Sequence, residues 1–150
     1  MSLDLILEFV HHLSVFSLVG VAAAEFVLLA PGLSGERLEL LGRLDGAYGG
    51  LAALILIAGF ARVLWGDAGW AFYVLNWVFW VKIGLFVLVG LLSIRPTLDI
   101  LNWRRAAAGD PAFAVPADAI AGARRFFIAE FALLAFIPIF AAMMARGIGL

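Results

Sequence analysis

Residues 72–94 read FYVLNWVFWVKIGLFVLVGLLSI, and this stretch decides the fold. It is almost entirely apolar, and as a helix rising ~1.5 Å per residue it is long enough to cross a hydrocarbon core of about 30 Å. Its one charge is Lys82, which a helix beginning at Phe72 would place roughly 15 Å deep. Because a lysine at that depth costs at least ~2.5 kcal/mol, the position favours a lysine that faces the bundle or has a function. The alternative is a side chain that snorkels to the lipid headgroups.

The composition of the whole chain is that of an integral membrane protein. The 150 residues are 65% hydrophobic and have a mean hydropathy of +1.10, whereas soluble domains are ~45–50% apolar. The net charge of −1 argues against a nucleic-acid partner, and the lack of cysteine excludes disulfides and iron–sulfur ligation. We predict one all-α domain over residues 1–150, an antiparallel up-and-down bundle of four transmembrane helices. The predicted spans are residues 5–30, 47–64, 72–94 and 126–145.

The distribution of basic residues predicts the orientation of this bundle. Seven of the ten lie on the side of the first and third connectors, two lie on the other side, and Lys82 is within a span. The positive-inside rule then makes these connectors cytoplasmic and both termini periplasmic, in a bacterial inner membrane. Asp4 and Glu8 stand where a signal peptide would carry basic residues, so we expect the first span to be retained.

Polar residues on the periplasmic side of the spans are candidates for a cofactor site. His11 shares a helical stripe with small and polar residues, whereas His12 points about 100° away, so we predict that His11 faces the bundle. Histidine is the usual ligand of haem iron in a helical membrane bundle. Arg62, Asn76 and Trp80 belong to the same side, and Asn76 and Trp80 are spaced to flank one pocket on a helix. We therefore predict that His11, His12 and these three residues bind a cofactor.

A second polar group is predicted at the cytoplasmic rim. Glu25 and Glu130 fall inside spans, and an unpaired carboxylate is too costly to bury for both to face lipid. We expect salt bridges to nearby arginines, and we favour this structural role over proton transfer. The predicted members of the network are Glu25, Arg43, Asp45, Tyr48, Arg125 and Glu130.

The start of the second span carries a G-x-x-x-G step at Gly46 and Gly50. Small residues at this spacing let two helix backbones approach closely, so the step favours tight helix packing.

Four segments carry a resemblance to known proteins. They are HHLSVFSLVGVAAAE, RLDGAYGGLAALILIAGFARV, FYVLNWVFWVKIGLFVLVGLLSIRPTL and IAEFALLAFIPIFAAMMARG. They resemble an uncharacterised family of predicted four-helix bacterial membrane proteins, which is similar in layout to HemJ-type protoporphyrinogen oxidases and CopD-like membrane domains. HemJ-type proteins have a histidine early in the first helix and a lysine in the third, both tied to activity and haem b. The resemblance implies that His11 binds the metal, that Lys82 is catalytic and that a porphyrin is the substrate.

Three functions stay open at this point. The first is a redox protein that binds haem b or a porphyrin. The second is a non-catalytic subunit, in a homo-oligomer or a larger membrane complex, for which thirteen phenylalanines offer apolar surface. The third is an ion or metal pathway with His11, Glu25, Lys82 and Glu130 as relay points. All three place the chain in contact with membrane lipids.

Overall fold

A computed structural model describes residues 3–149, and the regular elements in that range are all helices. The all-α prediction is therefore confirmed. The four long helices are each long and apolar enough to cross a membrane. The helices are α1 (Leu3–Leu28), α2 (Gly35–Trp65), α3 (Trp70–Val74), α4 (Trp77–Gly109) and α5 (Ala117–Ala145).

Three of the helices extend well beyond the predicted spans, and α2 and α4 are the longest. The 31 residues of α2 and the 33 residues of α4 correspond to roughly 46 Å and 50 Å, against a hydrocarbon core of about 30 Å. The charged segment before residue 47 is the first part of α2, because Leu38 and Leu41 continue the buried stripe at helical spacing. In the same way α4 runs through Pro96 to Gly109.

The predicted third span is broken at residues 75–76. Asn76 has an extended backbone (φ −89°, ψ 115°), and its side-chain oxygen accepts the backbone N–H of Val78 at 2.9 Å. Asparagine is among the strongest N-cap residues, and here it starts α4. The assumption of one continuous helix from Phe72 to Lys82 is therefore wrong. Lys82 is five residues, about 8 Å, from the start of its helix at Trp77.

The long helices pack as two antiparallel hairpins, α1 with α2 and α4 with α5, and contacts of α2 with α4 and α1 with α5 complete a ring. Within residues 3–149, no Cα atoms of α1 and α4 approach within 8 Å, so these two helices are diagonal. The two hairpin connectors meet at one end, where the N–H of Val115 donates to the carbonyl of Leu33 at 2.9 Å. We call this the connector end, and the opposite end, with the start of α1, the end of α5 and α3, the terminal end.

The best-packed apolar core lies at the connector end. It joins the first turns of α2 and α5 to the last turns of α4 and includes Leu33, Leu38 and Ile100, all fully buried. Along the flanks of the spans, large apolar side chains such as Phe16 and Ile57 are exposed. Such a surface suits contact with lipid chains.

Candidate functional site

The inward stripes of the helices carry two polar clusters, one towards each end. On α1 the residues Asp4, His11, Ser14 and Glu25 recur at spacings that keep them on the face with Leu18. The terminal-end cluster consists of Asp4, Glu8, His11, Arg62 and Lys82. The connector-end cluster consists of Glu25, Asp45, Tyr48, Thr97 and Glu130.

An apolar layer separates the two clusters. The sequence has no ionisable residue in 13–24 of α1, 49–61 of α2, 83–94 of α4 or 131–145 of α5. Twelve helical residues correspond to roughly 18 Å. Leu18, Ile55 and Val89 are buried within this layer. Ions or protons that pass between the pair His11 and Lys82 and the pair Glu25 and Glu130 would have to cross this layer, which contains no titratable side chain.

His11 is held against α2 in the terminal-end cluster. Its side chain is half-buried, and its Nδ1 lies 3.2 Å from the carbonyl oxygen of Ile55. Because a carbonyl only accepts, a hydrogen bond here requires the proton on Nδ1. Gly59 leaves room for the ring, since a Cβ at that position would lie 3.3 Å from Cε1 of His11. His12 is exposed and meets His11 edge-on, with ring centroids 5.8 Å apart.

Arg62 joins the first turns of α1 to the last turn of α2. Its guanidinium lies 3.9 Å from the carboxylate of Asp4 and 3.6 Å from that of Glu8, which are loose ion pairs. Its Nε is buried and has no hydrogen-bond partner in the described part of the chain. Arg62 therefore keeps one donor unused.

Lys82 lies on the inward stripe of α4, four residues after the buried Val78 and seven before the buried Val89. Its side chain is half-buried, and no residue from 3 to 149 hydrogen-bonds or ion-pairs with it. Its charge is close enough to act on His11 and Arg62. The terminal-end cluster thus combines one imidazole with two cations that have spare donors.

Asn76 and Trp80 are placed differently from the sequence prediction. Asn76 is fully buried, and beyond capping α4 its amide donates to the carbonyl of Ile148 at 3.2 Å. Trp80 is 54% exposed and donates from Nε1 to the carbonyl of Val74 at 3.0 Å. Their predicted pairing across one helical turn is wrong because α4 begins between them, at Trp77. Asn76 instead fastens the C-terminal residues to the start of α4.

The connector-end cluster is built around two buried glutamates. Glu25 and Glu130 are 1% and 2% exposed. The hydroxyl of Tyr48 donates to Oε2 of Glu130 at 3.1 Å, and the hydroxyl of Thr97 donates to Oδ1 of Asp45 at 2.7 Å. Oε1 of Glu25 and Oε1 of Glu130 are buried without a hydrogen-bond partner among the described residues.

The arginines predicted to neutralise this cluster do not reach it. Arg43 and Arg125 are exposed, and within residues 3–149 neither forms an ion pair with the cluster. The helical stripe of α5 passes through Ala123, Phe127 and Glu130, so residue 125 points away from it. Arg124 lies beside that stripe, and the same periodicity could have identified it. It donates to the carbonyls of Phe26 at 3.0 Å and Leu29 at 2.7 Å, where α1 ends.

A groove of about 300 Å³ runs between α2 and α4 beside the connector-end cluster. Asp45, Tyr48 and Thr97 contribute its polar wall, and Leu18 and Phe86 are part of its apolar wall. Among residues 3–149, no three His, Cys, Asp or Glu side chains are grouped so as to hold a metal ion.

The G-x-x-x-G step does not pack against another helix of this chain. A Cβ added at Gly46 or at Gly50 would meet no atom within 4 Å. The prediction of tight packing at this step is therefore wrong within the chain, because the face of α2 that carries both glycines is exposed.

Comparison with known proteins places the chain in a family. Residues 3–149 match the model of DUF2214, described as a predicted membrane protein, and the chain belongs to that family. No curated protein and no solved structure matches it. The family and the four apolar helices together identify a multi-pass membrane protein.

Proposed function

We propose that this member of the DUF2214 family binds haem b, or a related porphyrin, at the terminal-end cluster and carries out redox chemistry there. The observation that carries the proposal is the hydrogen bond from Nδ1 of His11 to the carbonyl of Ile55. With its proton on Nδ1, a neutral imidazole keeps one lone pair, on Nε2. Metal-binding histidines are typically oriented by such a bond from the other ring nitrogen.

The charges around His11 suit the carboxylates that a porphyrin carries. Arg62 has a buried Nε without an acceptor, and Lys82 is without a partner in the described chain. Either side chain would bind a propionate in a charge-assisted hydrogen bond. Asp4 and Glu8 hold Arg62 loosely, so its guanidinium can turn towards a ligand. Bound haem would supply one-electron chemistry at its iron, and the chain would supply the imidazole of His11 to hold the iron and the cations to hold the propionates.

The resemblance to HemJ-type oxidases points to the same two residues, His11 and Lys82. We therefore propose a redox role resembling that of protoporphyrinogen oxidases, with Lys82 as the group that contacts the substrate or moves protons. The cluster would lie on the periplasmic side of a bacterial inner membrane if the positive-inside rule holds.

Visible absorption of the purified protein tests this function. Protein made with an ample haem supply, or reconstituted with hemin, should show a Soret band. His11→Ala should abolish the band, and the matched variant His12→Ala should largely retain it because His12 is exposed. Lys82→Ala should alter the spectrum or the redox activity. Folded protein without a Soret band after reconstitution, or an unchanged band in His11→Ala, would contradict the proposal.

A second candidate is a subunit of an oligomer or a larger membrane complex. It is favoured by the exposed face of α2, where Gly46 and Gly50 leave open space for a second helix. Chromatography in a mild detergent should then give an assembly that Gly50→Leu disrupts. Gly20→Leu is the matched control, because Gly20 is equally open but lies on α1. A monomeric parent protein would rule this candidate out.

A further inference from the structure

The connector-end cluster contains two carboxyl groups that the proposed haem site does not use. Glu25 on α1 and Glu130 on α5 are almost completely buried, and each has one oxygen without a hydrogen-bond partner in the described residues. Glu25 is close enough to Glu130 and to Asp45 for their charges to interact. This arrangement brings acidic groups together in an apolar bundle.

No cation in the described chain compensates them. From α2 the cluster is faced by Asp45 and Tyr48, and from α4 by Thr97. On α5, Arg124 donates from Nη1 to two carbonyls at the end of α1, and among the described residues it forms no ion pair with either glutamate. The remaining charges nearby are at the surface, where Arg95 pairs with Asp99, Arg104 pairs with Glu39, and Arg43 and Arg125 are exposed.

Elementary electrostatics limits the charge that such a cluster can hold. An ionised carboxylate buried without a partner is strongly disfavoured, and two neighbouring carboxylates disfavour each other further. A proton on the pair removes this cost and supplies the donor that the unpartnered oxygens lack. A metal ion would need a group of three or more metal-binding side chains, and residues 3–149 contain no such group. A proton needs only the carboxyl oxygens.

The groove between α2 and α4 lies beside the cluster and is the path by which water would reach it. Tyr48 contributes its ring to the groove wall and donates its hydroxyl to Glu130, so it connects the two. A volume of about 300 Å³ is ample for several waters, each of which takes ~30 Å³. Towards the terminal end, Leu18 and Ile55 close the bundle. Water would therefore reach the cluster through the groove and not from the terminal end.

We propose that Glu25 and Glu130 form a proton-binding site that exchanges protons with water at the connector end, through Tyr48 and the groove beside it. The site takes up and releases a proton by making and breaking a carboxyl O–H bond, and no other reactant is needed. The proposal is independent of haem, because the cluster lies beyond the apolar layer from His11.

Infrared spectroscopy of the full chain in lipid nanodiscs tests the site. At neutral pH a protonated carboxyl gives a C=O band that is separate from the bands of ionised carboxylates, and the band shifts in D₂O. The wild-type protein should show this band. Glu25→Gln and Glu130→Gln should each remove a large part of it. The matched control Glu39→Gln should leave it intact, because Glu39 is paired with Arg104 at the surface. A wild-type protein without the band overturns the proposal, even if a variant fails to fold.

The rate of the D₂O shift tests the route. Tyr48→Phe removes the hydroxyl that contacts Glu130 and should slow the shift without removing the band. Gly49→Leu narrows the groove and should slow the shift as well, whereas Gly20→Leu, at an open position of α1 that does not line the groove, should not. An unchanged rate in both Tyr48→Phe and Gly49→Leu contradicts the route. The outcome is separate from the Soret test, since it needs no haem.

Discussion

The side-chain amide of Asn76 forms two hydrogen bonds. Its oxygen caps α4 at Val78, and its nitrogen holds the carbonyl of Ile148. Gly149 approaches so closely that a Cβ there would collide with the amide oxygen, and its φ of 105° also favours glycine. The corner where α4 starts is therefore fixed by residues far apart in the sequence.

Asn76→Ala should lower the stability of the protein. Loss of an N-cap side chain costs ~1 kcal/mol, and the buried bond to Ile148 adds about as much. We expect a lower unfolding temperature in detergent and faster proteolysis of the C-terminal residues. Asn102→Ala is the control, because Asn102 is exposed and contacts only Arg105. If the two variants are equally stable, the side-chain amide of Asn76 does not stabilise the start of α4.

Helical periodicity explains which side chains could be placed from sequence. The structure has His11 half-buried and His12 exposed, as their 100° separation on α1 predicts, and Lys82 is on the inward stripe of α4. Their roles in haem binding stay predictions. Asn76 and Trp80 could not be placed, since no glycine or proline marks the break between α3 and α4, and part of what stabilises it is a tertiary contact with residues 148–149.

At the scale of helices, the end of α1 depends on a residue from α5. The last carbonyls of a helix have no partner within it, and Arg124 supplies donors to Phe26 and Leu29. The guanidinium also lies 3.8 Å above the centroid of the Phe26 ring, a cation–π contact. This single side chain therefore fastens the end of α1 to α5, close to the edge-on contact of Phe26 with Phe131.

Arg124→Gln should loosen this junction. A hydrogen bond from a charged group contributes ~1.5–3 kcal/mol, so we expect a clear fall in the unfolding temperature and faster hydrogen exchange at the end of α1. Arg125→Gln is a close control, because it removes the same charge from an exposed position of the same helix. If both variants unfold together, the contacts of Arg124 do not contribute to stability.

At the scale of the whole molecule, the number of long helices could be predicted from hydropathy alone. Their lengths could not, because the connector-end core continues α2 and α4 beyond the apolar spans. In the sequence, the amphipathic first turns of α2 resemble a charged connector. In the structure, Leu38 and Leu41 of these turns belong to one apolar cluster with Ile100 and Ala123. Arg37 and Arg43, in the same turns of α2, are exposed and take no part in the buried network.

Seven arginines lie at or near the connector end, so we expect that end to be cytoplasmic. Alkaline phosphatase fused to the C-terminus should be active, and a reporter that works only in the cytoplasm should be silent there. A fusion in the exposed turn at residues 110–112 should give the opposite pattern. Cytoplasmic activity at the C-terminus would reverse the orientation, and with it the side of the membrane from which the Glu25–Glu130 site exchanges protons.

The bond between Asn76 and Ile148 also sets an order of events during synthesis. Ile148 leaves the ribosome about 70 residues after Asn76, a delay of several seconds at ~5–20 residues per second. Throughout that time the amide of Asn76 and the N–H of Trp77 have no acceptor from residues 148–149. A nascent chain that stalls before residue 148 therefore lacks the hydrogen bonds that join the start of α4 to residues 148–149.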